Sequence, residues 1–298
     1  MKSFKSIALL VGTNLLIFIT LSITFSVLVN LVLPAFGVDL RGVVSVTDLL
    51  WALVIGFGGA FISLLMSKQL ARAGMQMQRI EQPQSAKERL IYDAVAQLST
   101  RLGIRMPEVW VYWSDDPNAF ATGPGRNHSM VAVSSGLVNL LNDNEVRAVL
   151  AHEMGHVYNG DMVSTTLLQG LMNTFVFWLS MLAARQFDDR PMIAFAVSMF
   201  LQVALSFLAL IPITWFSRRR EFAADRFAAE QVGAGAMISA LQKLHQRATA
   251  MHVEHDAVRD PMATAYISGS WYGLFATHPS LEARVAALQA LQKGYSYP

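Results

Sequence analysis

The sequence predicts a mostly α membrane protein, with four transmembrane helices plus a cytoplasmic α+β domain that holds a small β-sheet. Composition is the first reason: the 298-residue chain is 53% hydrophobic and only 15% charged, far from an ordinary soluble domain. The second is distribution. Apolar runs at about 7–32, 49–66, 163–184 and 192–216 approach or exceed the ~20 residues needed to cross a bilayer. The third is that the stretches between and after them carry helix caps, turn residues and strand patterns. The chain thus divides into an N-terminal transmembrane hairpin (1–67), a soluble segment (68–162), a second hairpin (163–216) and a C-terminal soluble segment (217–298).

Each run has local features. The first is too long for the 7–15-residue apolar core of a signal peptide, and no A-x-A site follows it, so it is expected to stay as an anchor. In the second, Gly56 and Ala60 form a small-xxx-small pair that favours close helix packing. The third holds Gln169 and Asn173 one turn apart, polar groups expected to face other helices. The fourth contains Pro212 near its end, where a kink is expected.

Basic residues sort by loop. Lys2 and Lys5 precede the first run; Lys68, Arg72, Arg79, Lys87 and Arg89 follow the second; Arg218, Arg219, Arg220 and Arg226 follow the fourth. The other two connections hold Arg41 alone, and Arg185 and Arg190 balanced by Asp188 and Asp189. The positive-inside rule then places both termini and the region 68–161 in the cytoplasm. A net charge of +2 gives no reason to expect a nucleic-acid partner. The absence of cysteine excludes disulfides and thiolate metal ligands.

In the first soluble segment, Ser85-Ala86-Lys87-Glu88 reads as a capping box. The helix it opens runs to about Leu102, buries Leu90, Ile91, Ala94, Val95 and Leu98, and ends at Gly103 before Pro107. Strands are expected at 108–113, 118–122 and 129–134, separated by Asp115-Asp116-Pro117 and Gly123-Pro124-Gly125. Asn142-Asp143-Asn144-Glu145 is a second capping box, and the helix after it carries the chain's most informative residues.

These are His152-Glu153-Met154-Gly155-His156, an HExxH motif. Residues four apart share a helix face, so His152 and His156 can present two imidazoles to one metal ion, with Glu153 beside them as general base. Gly155 in a helix interior costs about 1 kcal/mol relative to Ala, which suggests that something approaches closely there. A catalytic zinc keeps three protein ligands. The best candidate for the third is Glu221, with Asp225 on the same face to accept a hydrogen bond from a ligand imidazole; the competing reading is a charged helix end just past a membrane span. Sharing one ion requires an even number of membrane crossings in the 65 residues between His156 and Glu221, and two runs lie there.

The stretches 117–123 (Pro-Asn-Ala-Phe-Ala-Thr-Gly), 151–162, 218–225 and Thr277-His278-Pro279 resemble the HtpX family of membrane-bound zinc metalloproteases, and the resemblance covers essentially the whole chain. It implies a zincin-like protease domain with one zinc ion per chain. It implies His152, His156 and Glu221 as ligands and Glu153 as the catalytic acid/base. It also implies a place in the bacterial inner membrane, with membrane-protein or unfolded polypeptide substrates met at the cytoplasmic face during quality control. The family is similar in its catalytic domain to the CAAX prenyl proteases.

Several assignments are less specific. His278 is read first as a cap for the helix expected at 280–292, and otherwise, with Arg284, as a stabiliser of the oxyanion. Tyr158, Tyr266 and Tyr272 are further oxyanion candidates. Asp161 is read first as a plain helix-end residue, and otherwise as one that orients a ligand. Asn118 and Ala121 belong to the strand expected to receive substrate as an added β-strand. Of the rivals, an intramembrane protease is disfavoured by the polar residues flanking HExxH. A CAAX-type endopeptidase differs in substrate. A metal-binding membrane scaffold would need acidic or histidine residues inside the spans, and the four expected spans hold none.

Overall fold

The computed structural model describes residues 46–259 and 278–294; the expected first span, Tyr266 and Tyr272 lie outside them. In order, the elements are α1 (Val46–Gly74), β1 (Met77–Arg79), α2 (Ala86–Leu102), β2 (Glu108–Tyr112), β3 (Ala119–Thr122), β4 (Met130–Ser134), α3 (Ser135–Leu140), α4 (Asp143–Asn159), α5 (Asp161–Ala184), α6 (Pro191–Val232), α7 (Ala234–Arg259) and α8 (Leu281–Gln292). The fold is thus mostly helical with one small mixed sheet. Among the described residues, three helices, α1, α5 and α6, are long and apolar enough to cross a membrane.

Residues separate into two compact units. One holds the described residues through Ala60 with Gln169–Ala209; the other holds Phe61–Leu168 with the described residues from Leu210 onward. In the first unit α1 meets α5 at small residues. A Cβ on Gly56 would fall 2.3 Å from Thr174 Oγ1, and one on Gly170 would fall 2.3 Å from Phe57 Cδ1. Without side chains at these points the backbones approach closely enough for Asn173 Nδ2 to reach the Gly56 carbonyl at 3.4 Å, while Gln169 donates to Asn173 at 2.8 Å. This is the packing expected of Gly56 and of the polar pair.

The second unit is built on the sheet, in strand order β1-β2-β4-β3. β1 and β3 run antiparallel to their neighbours, and β2 and β4 run parallel. Every residue of β4 is buried, as suits a strand flanked on both sides. β1 is an addition to the expected strands, and β3 is an edge. Helix α2 follows its sequence signals closely. Ser85 accepts from the Glu88 N–H, Gly103 closes the helix in the left-handed region at φ 63°, and the expected apolar face is buried. Glu88 departs from the full capping box, because its carboxylate takes the Gln84 N–H at 2.7 Å. The core joins α2, α4, α7 and the sheet, with Ile91, Leu150, Met154, Met237 and Leu288 among its largest buried side chains.

Helix α6 runs unbroken through Pro212 for 42 residues. The apolar run and the Glu221 segment are therefore one helix, not a span followed by a separate element.

Glu145 ties α4 into this unit. Its carboxylate completes the capping box by accepting the Asn142 N–H, and also accepts from Ser239 at 2.6 Å and Lys243 at 2.8 Å on α7. Burial works against its charge, but these donors hold its pKa below the usual carboxylate range. A depressed folded pKa contributes stability above the unfolded value, and that contribution is lost as pH falls through the folded value. Glu145→Ala should therefore cost about 2–3 kcal/mol near neutral pH. In melting curves the difference between variant and wild type should shrink below about pH 4.

Candidate metal centre

The site is built from α4, α6, the start of α5 and the start of α8, all within the second unit. The capping box at Asn142 starts α4, and Gly160 ends it in the left-handed region at φ 71°, its N–H directed to the His156 and Val157 carbonyls. The turn at Gly160 lets Asp161 begin α5 with its carboxylate facing back, so that Oδ2 lies 2.7 Å from His156 Nδ1.

Gly155 is where α6 comes closest. A Cβ there would lie 3.3 Å from Ala224 Cα and 3.2 Å from Phe227 Cδ1. That approach carries Glu221, one turn earlier on α6, up to the two histidines. His152 Nε2 and His156 Nε2 are 3.2 Å apart, and Glu221 places one carboxylate oxygen 3.5 Å from the first and the other 3.4 Å from the second. Tetrahedral coordination with bonds of about 2.0–2.1 Å spaces its ligand atoms roughly 3.3–3.4 Å apart. The three residues therefore fit one divalent ion. Glu221 Oε2 is also buried without a well-aligned hydrogen-bond donor.

Both imidazoles are held from behind. His152 Nδ1 lies 3.0 Å from Asp225 Oδ1, and His156 Nδ1 faces Asp161. With Nδ1 directed to a carboxylate, each ring keeps Nε2 for a ligand. Burial opposes protonation of His152, but hydrogen bonding to Asp225 and Glu221 outweighs it and raises the pKa above the usual histidine value. At His156 burial likewise opposes, and Glu221 together with the Glu153 charge prevails. Glu153 is buried on the same helix.

The remaining predicted residues fall as follows. Arg284 grips Asp225 with two parallel bonds, Nε to Oδ2 at 2.7 Å and Nη2 to Oδ1 at 2.6 Å, and its Nη1 lies 3.4 Å from Glu221 Oε2. His278 does not cap α8; Ser280 does, accepting the Ala283 N–H. His278 instead sets Nδ1 2.9 Å from Glu221 Oε2 and is itself exposed. Tyr158 stacks on Phe227 with ring centroids 5.8 Å apart. Asn118 stands at the head of β3 and Ala121 lies within it.

Asp161 was read first as a helix end and otherwise as a residue that orients a ligand, and its contact with His156 fits the second reading. Arg220, read as one more basic residue past a span, was missed. Arg220 pairs with the Asp161 carboxylate. Their only signal was position: Asp161 directly follows the glycine that ends the motif helix, and Arg220 directly precedes Glu221.

Residues 85–292 match the model of peptidase family M48. Protease HtpX of Tolumonas auensis is 43% identical over 97% of this chain and all of its own length. Protease HtpX of Pasteurella multocida is 41% identical over 93% of this chain and 98% of its own. In fold the chain is similar to the crystal structure of S. mikatae Ste24p, with a TM-score of 0.62 at 18% identity, covering 96% of this chain and 64% of that one.

The approach at Gly155 is testable. An ordinary Gly→Ala change inside a helix gains about 1 kcal/mol. Gly155→Ala should gain nothing, because Ala224 backbone must move, and Gly155→Val should lose about 2 kcal/mol and weaken metal retention. Gly235→Ala, where only Gln292 Nε2 comes near at 3.8 Å, is the control that should be tolerated in parallel melts and metal analyses.

Proposed function

The chain belongs to peptidase family M48 and, within it, to the HtpX proteases, and we propose that it is a zinc-dependent endopeptidase that cleaves membrane proteins from the cytoplasmic face in membrane-protein quality control. That it is a membrane protease follows from the family and from three helices long and apolar enough to span. The observation that carries the finer reading is the convergence of His152, His156 and Glu221, whose candidate ligand atoms all lie within 4.8 Å of one another, with Glu153 adjacent. In this reading those three hold zinc, one ion per chain, and Glu153 is the catalytic acid/base. The cytoplasmic assignment rests on the loop distribution of Lys and Arg. The likeness to Ste24p is one of fold and does not argue for a prenylated substrate. A non-catalytic metal scaffold has no use for a buried carboxylate next to two ligands.

When bound, zinc supplies a Lewis acid that polarises the scissile carbonyl and acidifies water. The chain's own residues do the rest. Glu153 takes a proton from the attacking water as the new C–O bond forms, then passes it to the amide nitrogen as the C–N bond breaks. Asp225 and Asp161 keep the imidazoles in one orientation.

The sheet supports a mode of substrate entry. Ser134 N–H bonds to the Asn118 carbonyl at 2.9 Å, which makes Asn118 and Ser134 a hydrogen-bonded pair. Antiparallel pairs alternate, so Ala119 and Ala121, opposite Val133 and Val131, turn their N–H and C=O groups away from β4. An extended peptide could then add to β3 through backbone bonds that are largely independent of sequence.

Glu153→Gln should retain zinc and lose cleavage, since it removes the base and no ligand, whereas Glu221→Ala should lose most of its zinc. Metal analysis paired with cleavage of a membrane substrate, with and without chelator, tests both; a Glu153→Gln variant that turns over normally ends the assignment. Ala121→Pro removes a backbone donor from the open edge of β3, where proline is tolerated. It should raise KM or abolish cleavage while zinc content and melting stay near wild type. Unchanged kinetics would move the substrate groove elsewhere.

A further inference from the structure

Resting on the metal reading above, we propose that Arg284 and Arg220 are positioning residues that set the orientation and the charge of the metal site through Asp225 and Asp161. Each metal-facing histidine stands at the head of the same three-membered chain. His152 meets Asp225, and Asp225 is held by Arg284; His156 meets Asp161, and Asp161 is held by Arg220. The two chains come from different parts of the sequence. Arg220 precedes Glu221 on α6, while Arg284 reaches in from the first turn of α8.

Geometry gives the first half of the inference. A carboxylate bonded to one nitrogen alone can swing about its Cβ–Cγ bond. The two parallel bonds from Arg284 fix the plane of the Asp225 carboxylate, and with it the direction from which Oδ1 meets His152 Nδ1. The ring then has one orientation, with Nε2 toward Glu221.

Charge gives the second half. Glu153, Asp161, Glu221 and Asp225 are all buried. Buried anions are costly unless compensated. Four carboxylates against two guanidiniums leave a formal charge of minus two with both imidazoles neutral, which one divalent cation cancels.

A double-mutant cycle tests this on the full-length, detergent-purified protein, with zinc affinity read by chelator competition and Co(II) spectra reporting site geometry. Arg284→Gln should weaken zinc binding 10–100-fold and alter the Co(II) spectrum. Arg284→Lys, which keeps charge but not the fork, should fall between that variant and wild type. In an Asp225→Asn background, Arg284→Gln should cost clearly less affinity than in the wild-type background, because the carboxylate that takes its two short bonds is gone and only the 3.4 Å contact with Glu221 remains. If Arg284→Gln does not fold, the same cycle is run on Arg220→Gln with Asp161→Asn. Equal losses in both backgrounds, or unchanged zinc affinity in Arg284→Gln, would overturn the positioning role while leaving the metal reading intact. Wild-type protein that takes up no zinc would overturn the metal reading, and this proposal with it.

Discussion

The close approach of α4 and α6 is the constraint on which the rest of the site depends. Two histidines on one turn can grip a metal only if a third ligand arrives from elsewhere in the chain. Here it arrives on a helix whose Ala224 backbone lies within van der Waals reach of the missing Cβ of Gly155. The glycine gives up helix propensity and gains a separation that brings a carboxylate to about 3.5 Å from two ring nitrogens. Ala224 itself is small and fully buried, which suits the same approach.

That proximity creates an electrostatic problem which the fold answers locally. Asp161, Glu221 and Asp225 are buried together, and each has a specific cation or ring opposite it. The pairs Arg284–Asp225 and Arg220–Asp161 act on opposite sides of the site. Glu145, at the other end of α4, repeats the pattern with Lys243 and Ser239. Helix α4 is therefore held at both ends by charge-assisted contacts and along its length by apolar packing, which suits an element that must keep two imidazoles in register.

Features decided within a few residues were legible in the sequence. The caps at Ser85 and Asn142, the stop at Gly103, the apolar face of α2 and the ligand face of α4 all follow from local chemistry. Three strands were read within a residue of their observed ends. β1 was missed because three residues, Met77-Gln78-Arg79, are too few to show alternation. The continuity of α6 was missed because hydropathy drops after Phe216 while helix propensity does not. Arg220 and the Asp225 grip of Arg284 were not read because their partners are set by packing between distant segments. The capping reading of His278 fails because Ser280, a better N-cap two residues later, was not weighed against it.

The central claim is that two imidazoles and one carboxylate from this chain hold a single zinc ion. Zinc K-edge X-ray absorption on the purified, zinc-loaded protein, together with its metal content, tests that claim most directly. The account predicts about one zinc per chain in a shell of nitrogen and oxygen donors at roughly 2.0–2.1 Å, with outer-shell scattering from two imidazoles. A protein that retains no zinc, or a shell with no imidazole or with three, would contradict it, the last by making His278 a ligand in place of Glu221 or in addition to it.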